Sequence, residues 1–320
     1  MNLRLPLLAG LLALQALVVA VLLLVNSGTG NQAAPELLDV DLENVDEVAI
    51  SDGDGNSVTL HRAENGWQLD DGTPADAAKL NEVLEDLKSQ AAAWPVATSD
   101  SARTRFEVDE SSFQRHLVLS HEGKPLAELY LGTSPGYRRV NARNAAAAEI
   151  YSIDFANYRL PAKADDWLDK GLLKARGVVT AITLAHDGGG WSLQRGEEGW
   201  LLDGGAAGQD AAADAARRVA ELLVMGRAEA PGEGVEPTAR LTVTDDDGDY
   251  HLTLYHAAEG DEYLISSDRV QGYFRLAAYV AEQLLVDAQT LQASDDASGG
   301  SADAAGTETG AADGVDSGTP

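Results

Sequence analysis

Apolar residues recur along this chain at two spacings, and the shorter one marks its strands. Val58 and Leu60 alternate with polar neighbours up to Arg62, a Glu64-Asn65-Gly66 turn follows, and Trp67 and Leu69 resume the period of two. That is the pattern of a β-hairpin, with Gly in the turn where a positive φ is needed. It returns at Trp191, Leu193 and Arg195, through Gly196-Glu197-Glu198-Gly199, to Trp200 and Leu202. The alternation predicts that Trp67 and Trp200 share faces with Leu69 and Leu202 as core anchors.

A spacing of three and four follows each hairpin. Leu80, Val83, Leu84 and Leu87 form one helical stripe, and Ala215, Ala216, Val219, Leu222 and Leu223 form another. Thr73-Pro74-Ala75-Asp76 predicts the start of the first helix, with Thr73 as N-cap and Pro74 at the first helical position. Strands are expected at 117–119, 126–131, 137–140 and 149–153, then a short helix at 155–160 and a closing Trp167-Leu168-Asp169-Lys170-Gly171 segment. Strands at 178–184, 241–244, 250–255, 262–265 and 272–276 and a helix over 277–291 repeat that order. The expected fold is therefore α+β, an N-terminal transmembrane helix followed by two tandem repeats of a mostly antiparallel sheet with a packed helix. Trp67, Trp200 and Trp167 are its structural anchors.

Leu5 to Val25 is an uncharged run of 21 residues with Gln15 as its one strongly polar member. As a helix it is about 31 Å long, enough to cross the ~30 Å apolar core of a bilayer. It exceeds the usual apolar region of a cleaved signal peptide, so an uncleaved anchor is expected. Arg4 precedes it, and Asp39, Asp41, Glu43, Asp46 and Glu47 follow, which predicts a cytoplasmic N-terminus and a periplasmic remainder in a bacterial inner membrane. The expected layout is an anchor over 1–26, a linker over 27–44, repeat units over 45–174 and 175–291, and an acidic tail over 292–320. The tail is almost devoid of large apolar residues, and disorder is expected there.

The net charge of −29 argues against nucleic acid and anionic headgroups as partners, because both require basic neutralisation. The tail holds six acidic residues and no Lys or Arg, so −23 remains on the rest of the chain and suits a solvated acidic surface. The absence of cysteine excludes disulfides, thiolate metal sites and a Cys nucleophile.

Chemical motifs are sparse. Gly132-Thr133-Ser134-Pro135-Gly136 matches the G-x-S-x-G nucleophile elbow, but Pro135 lacks the oxyanion N–H and a strand pattern follows, so a turn is expected. Asp52-Gly53-Asp54-Gly55-Asn56 and Asp245-Asp246-Asp247-Gly248-Asp249 carry calcium-like letters without the Gly and Glu of an EF-hand loop, and they sit between strands as turns. His116/His121 and His251/His256 are each five apart on strands, which places the members of each pair on opposite faces as isolated surface histidines. No metal, cofactor or catalytic set is expected.

The apolar anchor, the two Gly-Trp hairpins each followed by an Asp-headed helix, Leu131-Gly132 with Tyr137 and Val140, Ile150-Tyr151-Ser152-Ile153 and Trp167 to Leu173 together resemble the bacterial domain-of-unknown-function 4340 family over about 45–291. Members of that family are typically encoded beside an ABC transporter permease and ATPase of the gliding-motility type and an auxiliary membrane subunit. The resemblance implies an accessory envelope protein and carries over no catalytic residue. The expected function is a membrane-anchored periplasmic binding or scaffolding subunit of an ABC-type transporter or envelope assembly, not an enzyme. An independent ligand-binding or sensor module is the alternative, with an envelope-polymer enzyme third, and the small-molecule ligand is unknown.

Overall fold

A computed structural model describes residues 37–90, 94–256 and 262–293, together with Gln15. The expected anchor over 5–25 lies outside the described residues apart from Gln15, as does the acidic tail beyond Ala293. Among the described residues, no helix is long and apolar enough to cross a membrane.

The first half of the chain contributes β1 (Glu47–Asp52), β2 (Ser57–Ala63), β3 (Gly66–Leu69), α1 (Ala77–Ser89) and α2 (Asp100–Arg105). These are followed by β4 (Val108–Asp109), β5 (Ser112–Phe113), β6 (Arg115–His121), β7 (Lys124–Leu131), β8 (Val140–Asn144) and β9 (Tyr151–Ile153). The second half contributes β10 (Ala181–His186), β11 (Gly189–Gly196), β12 (Gly199–Leu202), β13 (Gly205–Ala206), α3 (Gln209–Ala220) and β14 (Gly226–Ala228). It ends with β15 (Ala239–Asp245), β16 (Gly248–His256), β17 (Tyr263–Ser267), β18 (Tyr273–Leu276) and α4 (Ala278–Leu284).

The fold is mixed α/β and mostly strand, with antiparallel sheets of seven and nine strands. The seven-stranded order is β3-β2-β1-β6-β7-β8-β9, and the nine-stranded order is β13-β12-β11-β10-β15-β16-β17-β18-β14. The described residues divide into two compact units. The first holds the chain to Leu173 with Leu223–Glu229 and Val270–Arg275, and the second holds Lys174–Leu222, Ala230–Arg269 and the chain from Leu276.

In the first unit the register aligns the apolar positions of neighbouring strands. Val48 faces Leu60 and Leu119, while Ile50 faces Val58 and Leu117, so one side of the sheet becomes a continuous apolar surface. Leu80, Val83, Leu84 and Leu87 of α1 join that core. The helix starts later than Thr73-Pro74 suggested. Asp76 is the N-cap, its carboxylate accepting the Lys79 N–H at 2.9 Å. Thr73 and Ala75 are held extended instead, because the Thr73 carbonyl accepts from Leu69 N–H, and Ala75 N–H donates to Trp67.

Trp67 is buried beneath Arg62, whose guanidinium lies 4.8 Å from the ring centre and donates to the Val45 and Leu42 carbonyls. Trp167 is fully buried, with its indole N–H donating to Pro161 at 2.8 Å. The free margin of β9 is closed. Ile150 exchanges backbone hydrogen bonds with Val96 and Ala97, Arg139 donates to the Ser152 carbonyl, and Gln90 accepts from Asp154 N–H.

The second unit carries the same antiparallel succession through β12-β11-β10-β15-β16-β17. Ile182 faces Leu193 and Val243, and Leu184 faces Trp191 and Leu241. Trp200 is buried, and α3 packs with Ala212, Ala215, Ala216 and Val219, small side chains that let the helix approach closely. The helix expected over 277–291 is broken into α4 and a 3-10 turn at Ala288–Leu291. The Val286 carbonyl between them accepts the Trp191 indole N–H at 2.7 Å, so a tertiary hydrogen bond replaces helix continuation.

Candidate functional site

A cavity of about 550 Å³ opens in the first unit, a size typical of small-molecule sites. Asp71 and Thr73 come from the turn after β3, Asp165 from a 3-10 turn, and Arg227 and Glu229 from β14 and its exit. Gln271, Tyr273 and Phe274 come from β18 and its approach. Pairing of β14 with β18 sets Arg227 opposite Phe274 and Gly226 opposite Arg275. Phe274 is buried and backs the cavity wall.

Four charged groups form a lattice beside it. Arg227 donates from Nη1 to Asp71 Oδ2 at 2.5 Å and from Nε to Asp165 Oδ1 at 3.2 Å. Asp165 Oδ2 accepts from Arg275 Nη2 at 3.4 Å. The two arginines lie on opposite faces of the strand pair, so Asp165 at its margin reaches both. Gly226 leaves room for the Arg275–Asp165 pair, since a Cβ there would stand 2.5 Å from Arg275 Nη2 and 3.0 Å from Asp165 Oδ2 and would displace those side-chain ends. Burial pushes the Asp71 carboxyl up, but hydrogen bonds from Thr73 and Arg227 outweigh it and hold the group below the ordinary carboxylate range. Burial likewise opposes the charge on Arg227, and its bonds to Asp165 and Asp71 outweigh it, raising its pKa above the ordinary arginine value.

A second depression of about 620 Å³ lies between the 52–55 turn and residues 107–115 of the same unit. Asp52 accepts the N–H groups of Asp54 and Asn56 and the Asn56 side-chain amide, so the first acidic turn is held by its own carboxylate. The second acidic turn is anchored differently. Inward positions alternate along β15, and Asp245 continues the row of Leu241 and Val243 into the core. Its side chain is fully buried and accepts from Arg269 Nη1 and Nη2 at 2.6 and 2.8 Å, Arg176 N–H at 2.7 Å and Asp247 N–H at 2.9 Å. Arg269, followed by these N–H groups, holds the Asp245 pKa at about 2 against burial. Arg269 also lies 3.9 Å from the ring centre of Tyr250, whose pKa burial and then Asp245 push up to about 12.

The histidines are not isolated. His116 meets Glu128 at 2.8 Å, His121 meets Asp46 at 3.1 Å, and His251 meets Asp268 at 2.8 Å. A register shift between Leu119 and Ser120 interrupts the alternation on which the opposite-face expectation for His116 and His121 rested. His116 also stacks on Tyr130 at 4.5 Å, and the Tyr130 hydroxyl donates to Glu128 at 2.7 Å. That hydroxyl, with His116, keeps Glu128 below the ordinary range against burial, while burial and Glu128 push the Tyr130 phenol up. Ser51 faces His116 across β1 and β6, yet no hydrogen bond joins them among the described residues. The Ser134 hydroxyl lies 2.8 and 2.6 Å from the Gly136 and Arg139 carbonyls, within a turn that leads to β8. Among the described residues, no group of three or more His, Cys, Asp or Glu side chains is placed to hold a metal.

Trp67, Trp167 and Trp200 all sit in cores and away from the cavity lining. The Asp71, Asp165, Arg227 and Arg275 lattice carries no sequence signal, since its members are separated by up to 204 positions with no recurring spacing.

These features define a strand-rich α/β protein with antiparallel sheets and a charged, ion-pair-braced cavity in its first unit. A family model described as a domain of unknown function (DUF4340) matches residues 67–237, more than half of the chain, and the chain belongs to that family. No curated protein and no solved structure matches it.

Proposed function

We propose that the protein is a membrane-anchored periplasmic accessory subunit that binds and scaffolds, without transforming a substrate, in an ABC-type transporter or envelope assembly. The carrying observation is the state of the ionisable groups at the cavity. Asp71, Asp165, Arg227 and Arg275 neutralise one another in fixed geometry, an arrangement suited to holding a shape and unsuited to proton transfer. The apolar run over 5–25 supplies the anchor in this reading, with the tandem units extending into the periplasm. The genomic setting typical of the resembling family supplies the transporter.

The test is a gentle-detergent pull-down of the tagged full-length protein from its native membrane with mass spectrometry of co-purifying proteins. Co-recovery of a permease and ATPase is expected. Recovery of intact, folded protein without them overturns the transporter assignment. The cavity itself favours a second reading, an independent periplasmic ligand-binding or sensor module, which needs no permease.

A further inference from the structure

We infer that the first-unit cavity binds a primary ammonium group, carried by a free aliphatic amine or by a lysyl side chain. This deepens the binding role proposed above and rests on it. Arg227 and Arg275 are matched by Asp71 and Asp165, so those four groups contribute no net charge to the cavity. Glu229 lines the same space, is exposed, and has no cationic partner among the described residues. Among the described residues, the unmatched charge at the cavity is therefore negative.

An ammonium carries three N–H donors and no acceptor. Glu229, Gln271 and the partly exposed Asp71 line one cavity, and their side-chain oxygens are acceptors of the complementary kind. Tyr273 adds an aromatic wall of the kind that favours cations over anions. The surrounding field agrees, because a chain of net charge −29 repels an anionic ligand and concentrates a cationic one. Asp165 braces both arginines across the margin of β14, so part of the wall is fixed by ion pairs within the protein, which lowers the ordering cost of binding.

The experiment is isothermal titration calorimetry on the full-length protein in detergent at low salt. Cadaverine and Nα-acetyl-lysine-methylamide are the ammonium probes, and succinate is the anionic control. Binding of either amine, weakened about tenfold by Glu229→Gln and unchanged by Glu233→Gln outside the cavity, supports the inference. Tighter binding of cadaverine assigns a free amine, and tighter binding of the lysine derivative assigns a lysyl side chain. Binding of neither amine, equal affinity in Glu229→Gln, or tighter binding of succinate overturns it. An unchanged unfolding midpoint in Glu229→Gln excludes misfolding as the cause of lost affinity. Lost amine binding with the permease still recovered refutes this inference alone, and bound amine without a permease refutes the transporter assignment alone.

Discussion

Replacing Asp245 by Asn tests the strongest electrostatic element of the second unit. The carboxylate is fully buried, receives both Nη groups of Arg269 and two backbone N–H groups, and has its pKa lowered from 3.8 to about 2. A difference of that size between folded and unfolded chains corresponds to about 2 kcal/mol of stability. Asn preserves the shape but leaves Arg269 without its anion. Arg269 is 17% exposed, so water relieves part of the loss and keeps it below the 3–5 kcal/mol typical of breaking fully buried pairs. The expected loss at neutral pH is about 2–3 kcal/mol.

The pH dependence carries the sharper test. Because the folded pKa is depressed, the stabilisation is complete above about pH 4 and disappears as pH falls from there to about 2. Asn cannot titrate, so the difference between wild type and Asp245→Asn shrinks across that window. Urea unfolding of the full-length protein, followed by tryptophan fluorescence, measures it, since Trp191 and Trp200 report from the same unit. A loss below about 0.5 kcal/mol at neutral pH, or an equal loss near pH 2.5, refutes the reasoning.

Three further substitutions probe separate packing arguments. Tyr250→Phe removes a buried hydroxyl with no hydrogen-bond partner among the described residues, so it is expected to be neutral or to stabilise by about 1 kcal/mol in the same unfolding assay. A loss above that magnitude would mean the hydroxyl is bonded. Asp76→Ala should cost about 1 kcal/mol and accelerate hydrogen exchange at the Lys79 amide, while Thr73→Ala leaves that amide's protection unchanged; the reverse pattern would restore Thr73 as the helix cap. Gly132→Ala would set a methyl 1.9 Å from the Phe106 carbonyl oxygen and 2.4 Å from that of Glu107, so a loss of about 3 kcal/mol is expected, and a wild-type unfolding midpoint would contradict that crossing.

Local patterning is informative where one face of an element is buried. Val58, Leu60, Trp67 and Leu69 alternate because β2 and β3 each turn one face inward, and Leu80, Val83, Leu84 and Leu87 recur because α1 does the same. Such periods follow from backbone geometry and are visible in a short window. The same logic failed at Thr73-Pro74, where backbone hydrogen bonds to nearby β3 and to the distant Trp167–Asp169 segment outweighed a good local capping signal. It failed again over 277–291, where the helix breaks after Leu284 and the Val286 carbonyl accepts the distant Trp191 indole N–H instead. The short strands β13 and β14 hold too few residues for any period to register.

The sequence by itself determined the strand-rich mixed character, the hairpins, the amphipathic helices and the family, because these depend on neighbours within a few positions. Tertiary structure alone decided the cavity. Asp71, Asp165, Arg227 and Arg275 meet through the β14–β18 register and the space left by Gly226, and such distant ion pairs leave no periodic trace in one chain. It also decided which acidic residues are turn formers and which is a buried anchor. Asp52 and Asp245 look alike as letters and each ends the inward row of its strand, but only Asp245 is buried there, where a carboxylate requires a partner such as Arg269.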